Sequence, residues 1–159
     1  MRFRGLAPDR DVLREIGHEL RLKHGSDILS RKILDRVAFD VRQGQQAAVT
    51  IVDAIRNPAE VRVLRDSLSD DFALVSIEAA GEAIISRIRA RARAGDVLDD
   101  DELARRVLAA EMGLNEPEHG HNIADCIAMA DVHIVNDGSL PELKERVNRF
   151  VDEQLAPYS

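Results

Sequence analysis

Three short apolar runs constrain the fold of this chain more than anything else in it. Ala47 to Asp53 reads AAVTIVD, Phe72 to Glu78 reads FALVSIE, and Val132 to Val135 reads VHIV. None alternates apolar with polar residues over its length, as a half-exposed strand would. Short runs rich in β-branched residues without alternation are what strands covered on both faces look like. Helical patterns lie between them, and buried strands separated by helices imply a parallel sheet with right-handed crossovers. The expected class is α/β: a three-layer α/β/α domain around a short parallel sheet of about three strands. At 159 residues the chain fits a single domain, 1–159, long enough to bury a core.

The helices follow from spacing and stop signals. After Pro8-Asp9, Val12, Leu13, Ile16 and Leu20 recur at three- and four-residue steps, and the helix closes near His24-Gly25. Ser26 or Asp27 caps a second helix carrying Ile28, Leu29, Ile33, Leu34, Val37 and Val41, ending at Gly44. The basic residues of both helices (Arg14, Arg21, Lys23, Arg31, Lys32, Arg36) read as solvated faces. Pro58 opens a helix containing Val61, Val63 and Leu64. An acidic helix is expected from about Asp100 to Leu114, a loop over Glu116 to His121, and a short helix from Ile123 to Met129. Asn136 to Ser139 turns the chain into a last helix, Leu140 to Leu155, with Leu143, Val147, Phe150 and Val151 inward.

Between the second strand and the acidic helix lies Ser86-Arg87-Ile88-Arg89-Ala90-Arg91-Ala92-Arg93-Ala94-Gly95, a concentrated cationic spot in a chain of net charge −7. As the end of a helix stopped by Gly95, it places Arg87 and Arg91 on one face and Arg89 and Arg93 on roughly the opposite one. Like charges four apart cost an isolated helix about 0.2–0.5 kcal/mol per pair. Two compensators are open: ion pairs with Asp99-Asp100-Asp101-Glu102, or a polyanionic ligand such as a phosphate, which guanidinium forks suit.

Composition excludes several classes. A sequence pI near 5.2 argues against general binding to nucleic acid or anionic membranes, both of which need a broad basic face. No apolar run approaches membrane-spanning length, and Met1-Arg2-Phe3-Arg4-Gly5 is no signal peptide, so a cytoplasmic location is the expectation. Cys126 sits in an apolar-rich segment and reads as a buried, inert thiol. His119 and His121 flank Gly120 at a spacing that matches no zinc pattern, so no metal site is assigned. The acids from Asp99 to Glu102 suit a helix start, and Ser139 has no His/Asp pattern that would make it a nucleophile.

In parallel sheets, ligands bind beyond the carboxyl ends of the strands. Asp53 with Arg56 and Asn57, then Glu78, then Asn136 with Asp137, fall there after the three strands in turn.

Val52-Asp53-Ala54-Ile55-Arg56-Asn57-Pro58-Ala59-Glu60-Val61, the arginine run, and Ala130-Asp131-Val132-His133-Ile134-Val135-Asn136-Asp137-Gly138-Ser139 together resemble one family. It is the P-loop nucleotide-kinase group of dephospho-CoA kinases, deoxynucleoside monophosphate kinases and dephospho-CoA-kinase-like ATPases. The resemblance covers essentially the whole chain, in order. It implies ATP-dependent phosphoryl transfer to a small nucleotide-like acceptor, with ATP and Mg²⁺ as cofactors. It also implies a lid-like subregion over approximately 87–120, where Arg87, Arg91 and Arg93 stabilise charge on the migrating phosphoryl. Asp53, Arg56 and Asn57 would lie beside the acceptor, and Asn136, Asp137, Gly138 and Ser139 would line the nucleotide base. The family has Gly at the position of Ala54, whose methyl crowds the turn after the strand.

The larger departure is a missing segment. Such kinases open with a strand and a GxxxxGK[ST] loop that holds the phosphates, yet none of the nine glycines here is followed by lysine. Phosphoryl transfer depends on aligning donor and acceptor, so the chain alone should be a very poor kinase. The alternative function is a non-catalytic nucleotide- or anion-binding or assembly module. The resemblance puts the missing strand between 47–53 and 72–78, leaving two buried edges unpaired. The two strands pair directly, or a second copy (a homodimer through the edges) or another protein supplies strands, or the true start lies upstream. For the chain as it stands, direct pairing is the expectation.

Overall fold

The computed structural model describes residues 10–45, 47–91, 105, 108–109, 112–113 and 119–154. Helix α1 spans Arg10–His24 and carries the basic residues Arg21, Lys23 and His24 in its last turn, at the negative end of its dipole. Gly25 follows at φ 100°. Helix α2 spans Ile28–Arg42. Asp27 stands at its N-cap, but the carboxylate takes Arg31 one turn on instead of a main-chain amide. Ser26 turns to His119, Oγ to Nδ1 2.8 Å.

Helix α3, Pro58–Leu68, is fixed at its start by local chemistry. Pro58 pre-sets the first helical φ, Asn57 Oδ1 accepts from the Ala59 amide at 2.9 Å, and Glu60 Oε2 accepts from the Asn57 amide at 3.1 Å. This reciprocal box satisfies amides that would otherwise be orphaned at a helix start. Val61 and Leu64, 0% and 1% exposed, face inward from α3. With Cys126, Ile134 and Pro58 they are the buried apolar side chains among the described residues. A 3-10 turn, Ser69–Asp71, leads to strand β1, Val75–Glu78. Then come α4, Gly81–Arg91, α5, Ile123–Ala128, strand β2, Val132–Val135, and α6, Leu140–Gln154. Helix α3 packs on α2 and α5, and α6 packs on β2.

Strands β1 and β2 pair in parallel, Val75 opposite Val132 through Glu78 opposite Val135. Asp131 staples their starts: its carboxylate accepts from the Leu74 amide at 2.8 Å and from Arg65 Nη2 of α3 at 2.7 Å. These two donors hold the Asp131 carboxyl below its usual range, the main-chain amide more strongly than the guanidinium.

The mixed α/β class and the parallel pairing agree with the sequence reading, but among the described residues the sheet has two strands, not three. Residues 47–53 are not a strand and do not pair with β1. None of their main-chain groups finds a partner among the described residues, and Ile51 is 87% exposed. An apolar run becomes a strand only against a neighbour that takes its main-chain bonds. The run 72–78 contributes only its last four residues, because the Phe72 amide closes the 3-10 turn onto the Ser69 carbonyl. Arg21 is not part of a solvated face: it is 4% exposed. The acidic helix from Asp100 to Leu114, the cluster Asp99 to Glu102 and Gly95 fall on stretches largely outside the described residues. So do most of the lid-like subregion 87–120 and the glutamates of the 116–121 loop.

Candidate functional site

At the carboxyl ends of the two strands the chain draws three segments together. The Asn136 amide donates to the Glu78 carbonyl at 2.6 Å, extending the ladder one residue past β2. Asp137 Oδ1 accepts from the Ala80 amide at 2.6 Å, tying the loop after β2 to the loop after β1. Arg87, two turns into α4, reaches across and donates from Nη2 to the Gly138 carbonyl at 3.2 Å. Thus Arg87, Asp137 and Gly138, all exposed, and the half-buried Asn136 form one cluster beyond the sheet.

Ser139 has a local task. It is the N-cap of α6: its amide and hydroxyl both donate to Glu142 Oε2, at 2.6 and 2.7 Å. These bonds, the amide's first, hold the Glu142 carboxyl below its ordinary range. Gly138 sits so close to this carboxylate that any Cβ there would collide with it. Of the other two arginines, Arg91 ends α4 with its side chain outside the described part, and Arg93 lies outside the described residues altogether.

Asp53, Arg56 and Asn57 gather at the start of α3. Asp53 is exposed. The Arg56 carbonyl accepts from the Asn122 amide at 2.8 Å, and its amide donates to Glu60 Oε2 at 3.0 Å. Asn57 is 2% exposed, its Oδ1 engaged in the cap and its Nδ2 donating to the Gly120 carbonyl at 3.0 Å. Its amide is therefore committed to holding loop 119–122 against α3. On the same loop the His121 main chain lies so close to Gly113, at φ 72°, that only glycine fits there. Ala54 sits at φ 65°, the left-handed region where a methyl is strained.

Two arrangements were not legible from spacing. Arg21, reaching from α1, lies 3.8 Å from Glu60 Oε1, with both side chains about 95% buried. Its Nε has no partner among the described residues. On the sheet, the 76–133 register brings Ser76, Glu78 and His133 together. Ser76 Oγ donates to Glu78 Oε1 at 2.6 Å, while His133 Nδ1 lies 2.7 Å from that oxygen and 2.9 Å from Ser76 Oγ. The Ser76 hydroxyl, then the imidazole, lower the Glu78 carboxyl. A nucleophilic relay engages serine and acid through different ring nitrogens. Here both meet Nδ1 and the serine proton points to the acid, so the trio is a buttress between strands, not a hydrolytic centre. An open cleft of about 320 Å³ runs between β2 and α6, lined by His133, Val135, Arg146, Arg149, Phe150 and Gln154 among others. Cys126 is buried as expected, and that burial, ahead of the charges of Glu60 and Asp125, pushes its thiol up to about 11.

Among the described residues, no cluster of three or more His, Cys, Asp or Glu forms a metal-binding group, and no helix is long and apolar enough to cross a membrane.

No family model and no solved structure matches this chain. Curated proteins do. A UPF0200 protein of Methanothrix thermoacetophila is 33% identical over 154 residues, 96% of this chain and 76% of its own length. One from Methanoregula boonei is 31% identical over 147 residues, 92% of this chain and 73% of its own. The chain belongs to the UPF0200 family. A UPF0200/UPF0201 protein of Archaeoglobus fulgidus is 28% identical over 148 residues, of which this UPF0200 chain spans only 42% of the length.

Proposed function

We propose that this UPF0200 chain is the base- and acceptor-handling part of a nucleotide-kinase-like phosphotransferase of three-layer α/β/α type. It works in the cytoplasm on a small nucleotide-like ligand. The observation that carries the reading is the cluster beyond the sheet, where Arg87 of α4 meets the loop Asn136 to Ser139 at the carboxyl end of β2. Parallel sheets place ligands there. A guanidinium on a main-chain carbonyl is held by a modest bond that a phosphate oxygen replaces with a stronger, charge-assisted one.

The residues present fit part of what ATP-Mg²⁺ would need. The loop 136–139 offers main-chain groups and a glycine for a base edge, and Arg87, with Arg91 and Arg93, offers countercharge. The sequence contains no GxxxxGK[ST] phosphate loop, since no glycine is followed by lysine. ATP-Mg²⁺ would supply the transferable phosphoryl group, and its phosphates need a loop from elsewhere. The chain's own share is binding and orientation: Arg87 neutralises an anionic group, and Asp53 and Arg56 flank the acceptor. Asn57 contributes indirectly, by fixing the Arg56 main chain against loop 119–122.

Thermal unfolding with and without ATP-Mg²⁺ tests this. The expected result is a rise in Tm with nucleotide that Arg87→Ala removes. The second reading is a non-catalytic nucleotide- or anion-binding or assembly module, favoured by the missing phosphate loop. Self-association that rises with concentration, with no nucleotide response, selects its assembly form and contradicts the kinase-like one.

A further inference from the structure

We infer that the groove between the outer edge of β2 and helix α6 is a docking site for one extended, acidic peptide segment of another protein, held as a strand beside β2. A strand residue points its N–H and C=O to the same side, and successive residues alternate sides. The Val132 and Asn136 amides donate to the Leu74 and Glu78 carbonyls, on the β1 side. His133 and Val135 therefore direct their main-chain groups off the opposite edge, and Arg146 of α6 meets the Val135 carbonyl there. The His133 amide and carbonyl and the Val135 amide have no partner among the described residues.

Helix α6 supplies the second wall. It begins five residues after β2 ends, packs on β2 and runs back along it, with Arg146 beside Val135. From Arg146 to Glu153 the helix advances about 10 Å, and four strand residues cover about the same distance. The cleft of about 320 Å³ between them has the half-buried Phe150 and the 45% exposed Val135 as apolar contacts. An extended segment lying between an edge strand and a helix draws affinity from main-chain bonds and specificity from alternate side chains.

Charge selects the occupant. Arg146, Arg149 and His133 line the cleft against one carboxylate, Glu153, which sits two turns along α6 from Arg146. The other acids nearby are engaged: Glu142 on Ser139, Glu78 on Ser76 and His133, and Glu145 on Arg149. The Glu145–Arg149 pair is 3.2 Å long with both side chains mostly in water, so a ligand carboxylate displaces Glu145 at little cost. Arg146 holds only a main-chain carbonyl. The end of the groove at Val135 is thus cationic and takes the acidic residues of the segment. A second copy fits badly: pairing β2 with itself about a twofold sets the two strands about 4.8 Å apart, whereas the two α6 helices leaning over that edge need about 8–10 Å. The site does not rest on the nucleotide reading.

The test titrates this chain with a synthetic peptide: one lysine, then alternating threonine and valine four residues long, then two glutamates. Saturable binding is expected, half-complete below about 1 mM, with amide exchange at His133 and Val135 slowed at least about threefold. The same peptide with lysines in place of the glutamates should bind at least about tenfold more weakly. Arg149→Glu should weaken the glutamate peptide by a similar factor and favour the lysine peptide. Because the Arg149 side chain is 64% exposed, this variant should leave thermal unfolding and any ATP-Mg²⁺ shift unchanged. Exchange at His133 and Val135 that the glutamate peptide does not slow overturns the inference, as does equal binding of the two peptides. Protection of these amides in the chain alone also overturns it: protection that grows with concentration assigns the edge to a second copy, and protection lost on deleting 155–159 assigns it to this chain itself.

Discussion

At the start of α3 the amides of Arg56, Asn57 and Ala59, the Arg56 carbonyl and the Asn57 side chain all find partners in the protein. About twenty residues later, β1 has one edge bonded to β2 and the other bare among the described residues, with Ile77 59% exposed beside it. Both regions expose main-chain groups at the ends or sides of a regular element, and both lie next to candidate ligand-handling residues. The three amides of the helix start find local acceptors, since Asn57, Pro58 and Glu60 sit within four residues and form the cap, and only the Arg56 carbonyl and Asn57 Nδ2 reach out to loop 119–122. A strand edge has no local solution, since its partner must come from a distant segment or another chain. A local motif therefore folds in this chain alone, and a sheet edge does so only when its neighbour is present.

The largest effect is expected where the closed region keeps a charge out of water. Glu60→Ala removes the cap acceptor and leaves Arg21 buried with no other carboxylate paired to it among the described residues. Breaking such a buried pair costs about 3–5 kcal/mol, read from urea unfolding. Glu60→Gln retains an acceptor for the two amides, so a clearly smaller loss for Gln separates cap from charge. Equal losses would mean that the charge carries the whole effect.

An intermediate effect belongs to the staple that joins both regions. Asp131→Asn weakens the bonds to Leu74 and Arg65 and should cost about 1 kcal/mol, discounted for exposure. Because the Asp131 carboxyl is lowered in the folded state from its ordinary value near 3.8, its contribution is fully present above that value. It fades as pH falls below, through the folded pKa. The stability of the parent chain should therefore fall more steeply than that of Asp131→Asn as pH drops below about 4.

Two smaller changes act on turns. Ala54→Gly relieves a left-handed φ of 65° and should stabilise by up to about 1 kcal/mol, the strain being partly offset by added chain entropy. Gly138→Ala drives Glu142 off the Ser139 cap and should cost about 0.5–1 kcal/mol. If the Gly138 loop also holds a base, this variant weakens the ATP-Mg²⁺ thermal shift more than its own loss of stability accounts for.

What sequence conveyed follows the same division. Helices α1, α2, α3 and α6 were legible because spacing and flanking Ser, Pro or Gly encode them within a few residues. The parallel arrangement and the strand-end position of Asn136 and Asp137 followed from the alternation of elements, whereas the reach of Arg87 to Gly138 did not. The strand at 47–53 was misread because its composition suits a strand, while its conformation depends on a neighbour that composition does not report. Arg21 was read as solvated because its partner, Glu60, lies 39 positions away, with no pattern to join them. The Ser76, Glu78 and His133 contact depends on strand register, which one sequence does not state.

Amide exchange within β1 of the chain alone tests the central contrast most directly. Ser76 and Ile77 are neighbours in one strand, and Ser76 directs its amide toward β2 whereas Ile77 directs its own off the open edge. Exchange at Ser76 much slower than at Ile77 is the predicted result. Equal protection at the two positions would show the edge already occupied in this chain and would contradict the account.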